Sequence, residues 1–571
     1  MHQTCTQCSA PFEVTDQDLA FYDTISPVYN GIKYPVPPPT QCPMCRMIRR
    51  SAWRNEWSLY ARTCDRCSKN IVALYAPDAP FPVYCHRCWW GEEWDPKEYG
   101  QELDLNRPFL EQFFEVNHRT PHLAMMNDNG VNSENCEYTT DFSFGKNCYM
   151  TVGSWFVENC YYCAASCTRS KFLVDSYLMG DSELCYECLD SRRLYNCRYL
   201  QNCENSRDCI FGYDLKGCSD CVGCFGLRQK QFHWFNEALS EEEYRKRLAV
   251  FDIGSYKAVE EMKTRFRNAV MTLPRRGMRL VNCEDCDGDY LNGCHDTHNS
   301  YMIFDAQHCH YCDKGEGQVS SYDLLHTGTC EYCYDSLTPD NSYMTIFSMW
   351  TWFTKYCRYS DNCHHSEHLF GCSSMKGSKF CILNKQYTEE EYMALAPKII
   401  ENMQQKGGEA MNPNPQVSGS WGELFAVSTS PFGYNETMAQ DYIPLTESEA
   451  RERSWPWREP KNEEGEGTPA DQLPDSIDDA TDAILMKPIR CERSGRVFRM
   501  IKQEVDFYKA HHIPLPRLHP SERHRDRFKM HNPPKIWDRE CMKCQKPIKT
   551  TYAPDRSEIV FCEECYLKEV Y

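Results

Sequence analysis

Nowhere in these 571 residues does an apolar run approach the length of about 18 that a membrane-spanning helix needs. The start, Met1-His2-Gln3-Thr4-Cys5, lacks the basic and apolar stretches of a secretory leader, so no export signal is expected. Gly-x-Ser-x-Gly, His-Glu-x-x-His and a phosphate-cradling glycine-rich loop are all missing, which leaves catalysis without a recognisable foothold. Positive charge is short as well. Against 82 acidic residues stand 63 Lys and Arg, a formal charge of -19 that disfavours nonspecific nucleic-acid binding by the chain as a whole. The imbalance is local: residues 436–482 hold 14 acidic and 4 basic side chains, whereas 490–571 hold 18 basic and 12 acidic ones.

Cysteine is what the chain has in excess, 37 in all. Many fall in Cys-x-x-Cys pairs, and with no export signal this favours metal ligation in a reducing cytoplasm over disulfides. Zinc takes four soft ligands in a tetrahedron, and two Cys-x-x-Cys turns brought together by a hairpin supply them. Cys64, Cys67, Cys85 and Cys88 have that spacing, as do Cys541, Cys544, Cys562 and Cys565. Cys5, Cys8, Cys42 and Cys45 bracket a longer insert in the same pattern. A module of about 40 residues has too small a core to fold alone, so zinc is expected to supply most of its stability.

The two ends are copies of one module. Cys64, Cys67, Tyr75-Ala76-Pro77-Asp78, Cys85 and Cys88 recur as Cys541, Cys544, Tyr552-Ala553-Pro554-Asp555, Cys562 and Cys565, all displaced by 477. Cys5, Phe12, Phe21 and Tyr22 recur as Cys491, Phe498, Phe507 and Tyr508, displaced by 486. Between the ends lies a second duplication, in which Cys197-Arg198-Tyr199 recurs as Cys357-Arg358-Tyr359 and Ser240-Glu241-Glu242-Glu243-Tyr244 as Thr388-Glu389-Glu390-Glu391-Tyr392. Inside each block Asn135-Cys136, Asn147-Cys148 and Asn159-Cys160 fall twelve apart, and Cys185, Cys197, Cys209 and Cys221 do the same after a one-residue slip. Such a period predicts a β-solenoid with coils of about 24 residues.

The expected fold is therefore mainly β and modular, zinc ribbons flanking two Cys-rich β-solenoid blocks, each followed by a capping helix. Tandem ribbons would occupy 1–100, a connecting helix 101–130, the first block 131–238 and its helical cap 239–275. The second block would occupy 276–387, its cap 388–406, an aromatic then acidic linker 407–486, and a degenerate plus an intact ribbon 487–571. Ser240-x-x-Glu243 and Thr388-x-x-Glu391 have the capping-box pattern that starts each helix. Residues 461–482 are expected to be mobile, and 421–442 to pack along the body.

Within the blocks, Cys160, Cys163, Cys185 and Cys188 lie about one such coil apart, as do Cys309, Cys312, Cys330 and Cys333. Stacking would make each set either a further zinc site or a lining of small apolar thiols.

Cys5-x-x-Cys8-x-x-x-Phe12, Phe21-Tyr22 and Cys42-Pro43-x-Cys45-Arg46 resemble the probable zinc-ribbon domain of many uncharacterised bacterial proteins. The whole chain, with Phe380-Cys381-Ile382-Leu383-Asn384-Lys385-Gln386-Tyr387 and its last twenty residues, resembles a Cys-rich family of candidate-phylum bacteria. The resemblance implies zinc at the N-terminus and carries no activity over. It also implies four cysteines in the C-terminal ribbon, where this chain has Cys491, Ser494, His519 and Glu522. That copy reads as a decayed ribbon, with an open three-ligand site of Cys491, His519 and Glu522 as the alternative.

Both ribbon pairs carry a basic stretch, Arg46, Arg49, Arg50 and Arg54 in one and Arg523, Arg525, Arg527 and Lys529 in the other. These are either solvated helix faces or contacts for phosphates. The functional expectation is a zinc-binding structural or scaffold protein presenting an extended surface to a macromolecular partner, protein or nucleic acid. A nucleic-acid or ribosome-associated binder acting through the basic ribbons is one alternative, and a thiol or zinc-dependent enzyme another. Neither a membrane nor a small-molecule substrate is indicated.

Overall fold

The computed structural model describes residues 1–571 apart from 129–130, 166, 329, 339, 407–419, 460–465 and 571. Its backbone is governed by a three-residue rhythm. Asn135, Tyr138, Asp141, Phe144, Asn147 and Met150 all have φ near +50°, in the left-handed region. Such a bend costs a residue other than glycine about 1–2 kcal/mol, so it persists only where surrounding structure holds it. Here the holding comes from parallel pairing on both sides, since four bends complete a repeat of twelve residues and bring residue n beside n + 12. Thr140 pairs with Val152, Cys185 with Cys197 and Ser219 with Gln231. One extra residue enters where Ser154 pairs with Cys167.

The residue after each bend points inward, and this explains the cysteine content. Cys136 Sγ donates to Glu134 O at 3.3 Å and Cys197 Sγ to Tyr195 O at 3.3 Å. Ser154 Oγ and Ser170 Oγ make the same i−2 bond, to Val152 O and Thr168 O, at 3.1 and 2.8 Å. A side chain with one donor atom on Cβ is small enough for the interior and satisfies a carbonyl beside the bend. Cys, Ser and Thr thus alternate with Leu, Val and Phe along the core.

The chain divides into two compact units, each assembled from segments far apart in sequence. Unit one comprises residues 1–125, 278–458 and 533–536: the N-terminal cysteine modules, the second block and the aromatic segment. Its ladder runs from a seven-stranded sheet through single bridges such as Glu331 to Tyr343, Tyr343 to Lys355 and Lys355 to Glu367, and ends beside the helix Glu389–Lys406. Thr388 and Glu391 cap that helix reciprocally. Unit two comprises 126–277, 459–532 and 537–571, built on an eleven-stranded sheet that is parallel except for its last strand, Glu237–Ala238. The helix Tyr256–Val270 lays Val259 and Met262 against Phe211, Val222 and Trp234.

Two features of the expected fold are corrected. The chain is mixed in class, 25% helix and 31% strand with many small sheets, so the mainly β, coil-stacked description does not stand. Strand partners in the parallel sheets lie twelve residues apart and not 24, because four left-handed bends already bring the chain back beside itself. Smaller differences follow local chemistry. The helical cap expected over 239–275 breaks into Glu241–Val250 and Tyr256–Val270, since Ser255 caps a new start by accepting from Ala258 N. Residues 101–130 hold one helix, Phe109–Arg119. Of the segment expected to be mobile, 461–465 lies outside the described residues, while Thr468–Pro469 pairs with Ile489–Arg490 and Ile477 is buried. The first part of the expected linker, 407–419, also lies outside them.

Candidate metal centres

Three four-cysteine groups converge: Cys5, Cys8, Cys42 and Cys45; Cys64, Cys67, Cys85 and Cys88; and Cys541, Cys544, Cys562 and Cys565. In each, all ligand atoms lie within 4.8 Å of one another. The local backbone that makes this possible is the same each time. After the first Cys-x-x-Cys comes a left-handed residue, Ser9, Ser68 or Gln545, whose N–H returns to the carbonyl of Cys5, Cys64 or Cys541 at 2.9, 2.9 and 2.8 Å. The second pair opens a helix: Cys42 and Cys85 are the N-cap residues of Pro43–Ser51 and His86–Trp90, and Cys562 directly precedes Glu563–Val570. The amide of that cysteine donates to the first sulfur of the group, Cys5, Cys64 or Cys541, at 3.3, 3.2 and 3.2 Å.

Sulfur spacing tests whether the groups fit an ion. Cys8 and Cys42 stand 3.7 Å apart, Cys67 and Cys85 3.9 Å, and Cys544 and Cys562 3.8 Å. A tetrahedron of thiolates at about 2.3 Å from a metal has edges of about 3.8 Å, whereas a disulfide is about 2.05 Å long. The groups therefore suit a tetrahedral metal ion. Burial pushes the Cys64 and Cys541 thiols up, but the amides of Cys67 and Cys85, and of Cys562 and Cys544, outweigh it and hold them at about 7 and about 6. Thiols so lowered are partly thiolate at neutral pH, the form that binds metal.

The fourth copy keeps the backbone and has lost the ligands. Gly495 is left-handed, its N–H reaches Cys491 O at 3.1 Å, and His519 N donates to Cys491 Sγ at 3.2 Å, as Cys42 N does to Cys5. His519 Nδ1 accepts from Ser521 N at 3.1 Å, and Glu522 pairs with Arg525 at 2.7 Å. Each alternative ligand is thus engaged by its own helix.

Of the two alternatives for the eight ladder cysteines, further zinc sites or a lining of small thiols, the first is not met. Cys160, Cys163, Cys185 and Cys188 cannot share one strand spacing, because Leu173 occupies the rung between Cys160 and Cys185. Cys309, Cys312, Cys330 and Cys333 are separated likewise, with the Ser321 rung between Cys309 and Cys333. All eight are buried in the ladder interiors.

Six of the eight basic residues, Arg46, Arg49, Arg50, Arg54, Arg523 and Arg527, are also corrected as phosphate contacts. Arg46, Arg49, Arg50 and Arg54 are each at most 3% exposed, since the helix Pro43–Ser51 drives its arginines onto aspartates of the second block. Arg46 Nε donates to Asp323 Oδ2 at 2.9 Å, and Arg50 Nη1 reaches Asp323 Oδ1 at 3.1 Å and Asp335 Oδ1 at 2.8 Å. Arg49 pairs with Asp335 and Glu423, and Arg54 donates to Glu56 and Thr338. In unit two Arg523 and Arg527 both pair with Asp175, while Arg525 pairs with Glu522 and Lys529 is exposed. A guanidinium buried against a carboxylate has no face left for a phosphate. Charge runs fix no partner, and the aspartates that receive Arg46, Arg50 and Arg523 lie hundreds of residues away.

Two features escaped the sequence reading. Unit one holds a cavity of about 350 Å³ lined by Tyr75, Phe81, His118, His122, Asp361 and Phe432 among others. There His122 Nε2 faces Asp361 Oδ2 at 3.2 Å, and Asn117 Nδ2 donates to the same oxygen at 3.0 Å. The second feature is Asp296, His298 and His310, whose ligand atoms also lie within 4.8 Å of one another. The signal was Asp296-x-His298 followed twelve residues later by His308-x-His310.

Among the described residues no helix is long and apolar enough to cross a membrane. No family model matches the chain, and no curated protein matches it. Among solved structures, a crystal structure assigned as an acetyltransferase, from Desulfovibrio desulfuricans G20, aligns at 9% identity with a TM-score of 0.10, over 40% of this chain and 56% of that one. The chain thus spans little more than half the length of that protein, and a similarity so slight fixes neither fold nor function.

Proposed function

We propose that this is a zinc-stapled structural protein, in which four-cysteine modules brace parallel ladders whose outer faces are offered to a macromolecular partner. The observation that carries the reading is the sulfur spacing of 3.7 to 3.9 Å, repeated in three groups of identical local backbone. Zinc suits four thiolates better than calcium or magnesium, which take oxygen ligands. The buried pairs of Arg46 and Arg50 with Asp323, and of Arg523 and Arg527 with Asp175, support bracing over phosphate binding.

Replacing bound metal with cobalt in the full chain tests this directly. Thiolate-to-cobalt charge-transfer absorption equal to three tetrathiolate sites is expected, falling by a third when Cys64 is changed to Ser. Absence of that absorption ends the proposal. Partner capture with the full chain, repeated across a salt series, separates a protein partner from nucleic acid, whose binding falls steeply with salt.

A further inference from the structure

Asp296, His298 and His310 stand on neighbouring rungs of the second ladder, where Thr297 pairs with Cys309 and His298 with His310. The two imidazole rings lie 5.0 Å apart at 88°, and His310 is stacked on Tyr322 at 4.5 Å, which fixes its plane. Their Nδ1 atoms are each faced by a carboxylate. Asp287 Oδ2 lies 3.2 Å from His298 Nδ1, and Asp18 Oδ1 lies 3.3 Å from His310 Nδ1. On the other side of the ring His298 Nε2 lies 3.3 Å from Asp296 Oδ1, and one ligand atom from each of Asp296, His298 and His310 lies within 4.8 Å of the other two. Carboxylates behind the imidazoles are the arrangement that fixes tautomer and ring orientation in metal-binding histidines. Asp296 is itself held in place, its Oδ2 accepting from Gln17 Nε2 at 2.8 Å and facing His308 Nδ1 at 2.7 Å.

An independent observation points the same way. His310 is 4% exposed, and its Nε2 has no hydrogen-bond partner. A buried polar atom left unsatisfied is costly, and an explanation by ligation removes the cost. His298 and Asp296 are partly open to solvent, so the set has protein on one side and room for water or a ligand on the other.

The duplication supplies a comparison. Asp323 and Asp175 receive equivalent arginines, and the preceding rung pairs His310 with Tyr322 in one block and Tyr161 with Val174 in the other. His310 therefore corresponds to Tyr161, His298 to Tyr149 and Asp296 to Asn147. Two donors of metal-binding type replace two phenols at equivalent places, and a carboxylate replaces an amide.

We infer that Asp296, His298 and His310 form a fourth metal site, a two-histidine, one-carboxylate set for a divalent transition metal ion with open coordination positions. Its nitrogen and oxygen donors set it apart from the tetrathiolate groups, and it stands whether or not those hold zinc. The test uses the full chain, first equilibrated with zinc and dialysed, then titrated with cobalt. One further equivalent is expected to bind without thiolate-to-cobalt absorption. Asp296→Asn and His298→Gln, both at partly exposed positions, should each weaken that equivalent at least tenfold while far-ultraviolet circular dichroism stays unchanged. Asn147→Ala in the other block should leave it intact. Absence of a further equivalent in the wild-type chain, or one that both substitutions leave unaltered, overturns the inference. Absence of thiolate absorption in the chain loaded with cobalt alone, with the further equivalent still present, would refute the stapling role and leave this site standing.

Discussion

The N-terminal module built on Cys5 and the C-terminal one built on Cys491 are a natural experiment in removing a metal site. Both keep the left-handed residue after the first turn, the amide bond to the first sulfur and the helix that follows. Both press two arginines onto an aspartate of a ladder. Only one keeps four cysteines. Attachment of the module to its ladder therefore rests on the buried ion pairs and the apolar contacts, which both copies share whether or not they keep four cysteines. Phe21 stacked on Tyr322 at 3.7 Å, and Tyr508 edge-on to Tyr186 at 5.7 Å, belong to the same two interfaces.

Chelation should widen that contrast most. Loss of metal is expected to remove about 10 kcal/mol or more from each tetrathiolate module. Amide exchange should then rise at 5–45, 64–88 and 541–565 but stay slow at 491–528. Equal loss of protection in the fourth copy would show that it too depends on metal.

Next in size are the clamps. In unit one the arginines share Asp323 and Asp335, whereas in unit two Asp175 alone receives both. Breaking a buried pair by removing one partner costs about 3–5 kcal/mol. Asp175→Ala should reach the top of that range in denaturant unfolding and Asp323→Ala the bottom. The reverse order would mean that Asp335 contributes nothing to the first clamp.

A pH difference of opposite sign should separate the units. Burial tends to raise Asp18, but His310 and the Thr15 cap outweigh it and leave its pKa below the usual carboxylate value. Its contribution is present above that usual value and is lost as pH falls through the lower folded one. Burial raises Glu504, the matching residue in unit two, to about 8 against the pull of Arg523. Its folded form favours the proton, so stability is lost as pH rises from the ordinary carboxyl range towards 8, by at most about 1.4 kcal/mol per pH unit. Glu504→Gln should flatten the unfolding free energy of unit two between pH 5 and about 8. An unchanged slope would place the titration elsewhere.

The smallest effect concerns the ladder thiols. Cys197→Ser keeps a donor on Cβ for Tyr195 O and should cost about 1 kcal/mol in thermal or denaturant unfolding. Cys64→Ser in the knuckle should cost several times more.

The tetrathiolate groups were legible because ligand spacing is itself a geometric statement, and the twelve-residue period because Asn-Cys pairs mark it. The bend every third residue was not, since Tyr138, Phe144 and Met150 occupy positions where Gly or Asn would have announced it. Parallel pairing outweighs their preference. Reading the stack as one coil per 24 residues then misplaced Cys160 against Cys185 and hid His298 beneath His310. The arginines misled for another reason: burial follows from a partner, and Asp323 is 277 residues from Arg46.

That separation has a consequence for synthesis. A ribosome adding about 5–20 residues per second takes roughly 14 to 55 s to cross it. Throughout that interval the first module's basic helix emerges without its counter-ions, and Asp175 must wait still longer for Arg523. Early closure of the knuckle by metal would keep the nascent segment compact, and premature release or truncation before the second block should leave a fragment whose Arg46, Arg49 and Arg50 lack their aspartate partners. Pausing, chaperone engagement and quality control should therefore fall between residues 125 and 323 of the growing chain.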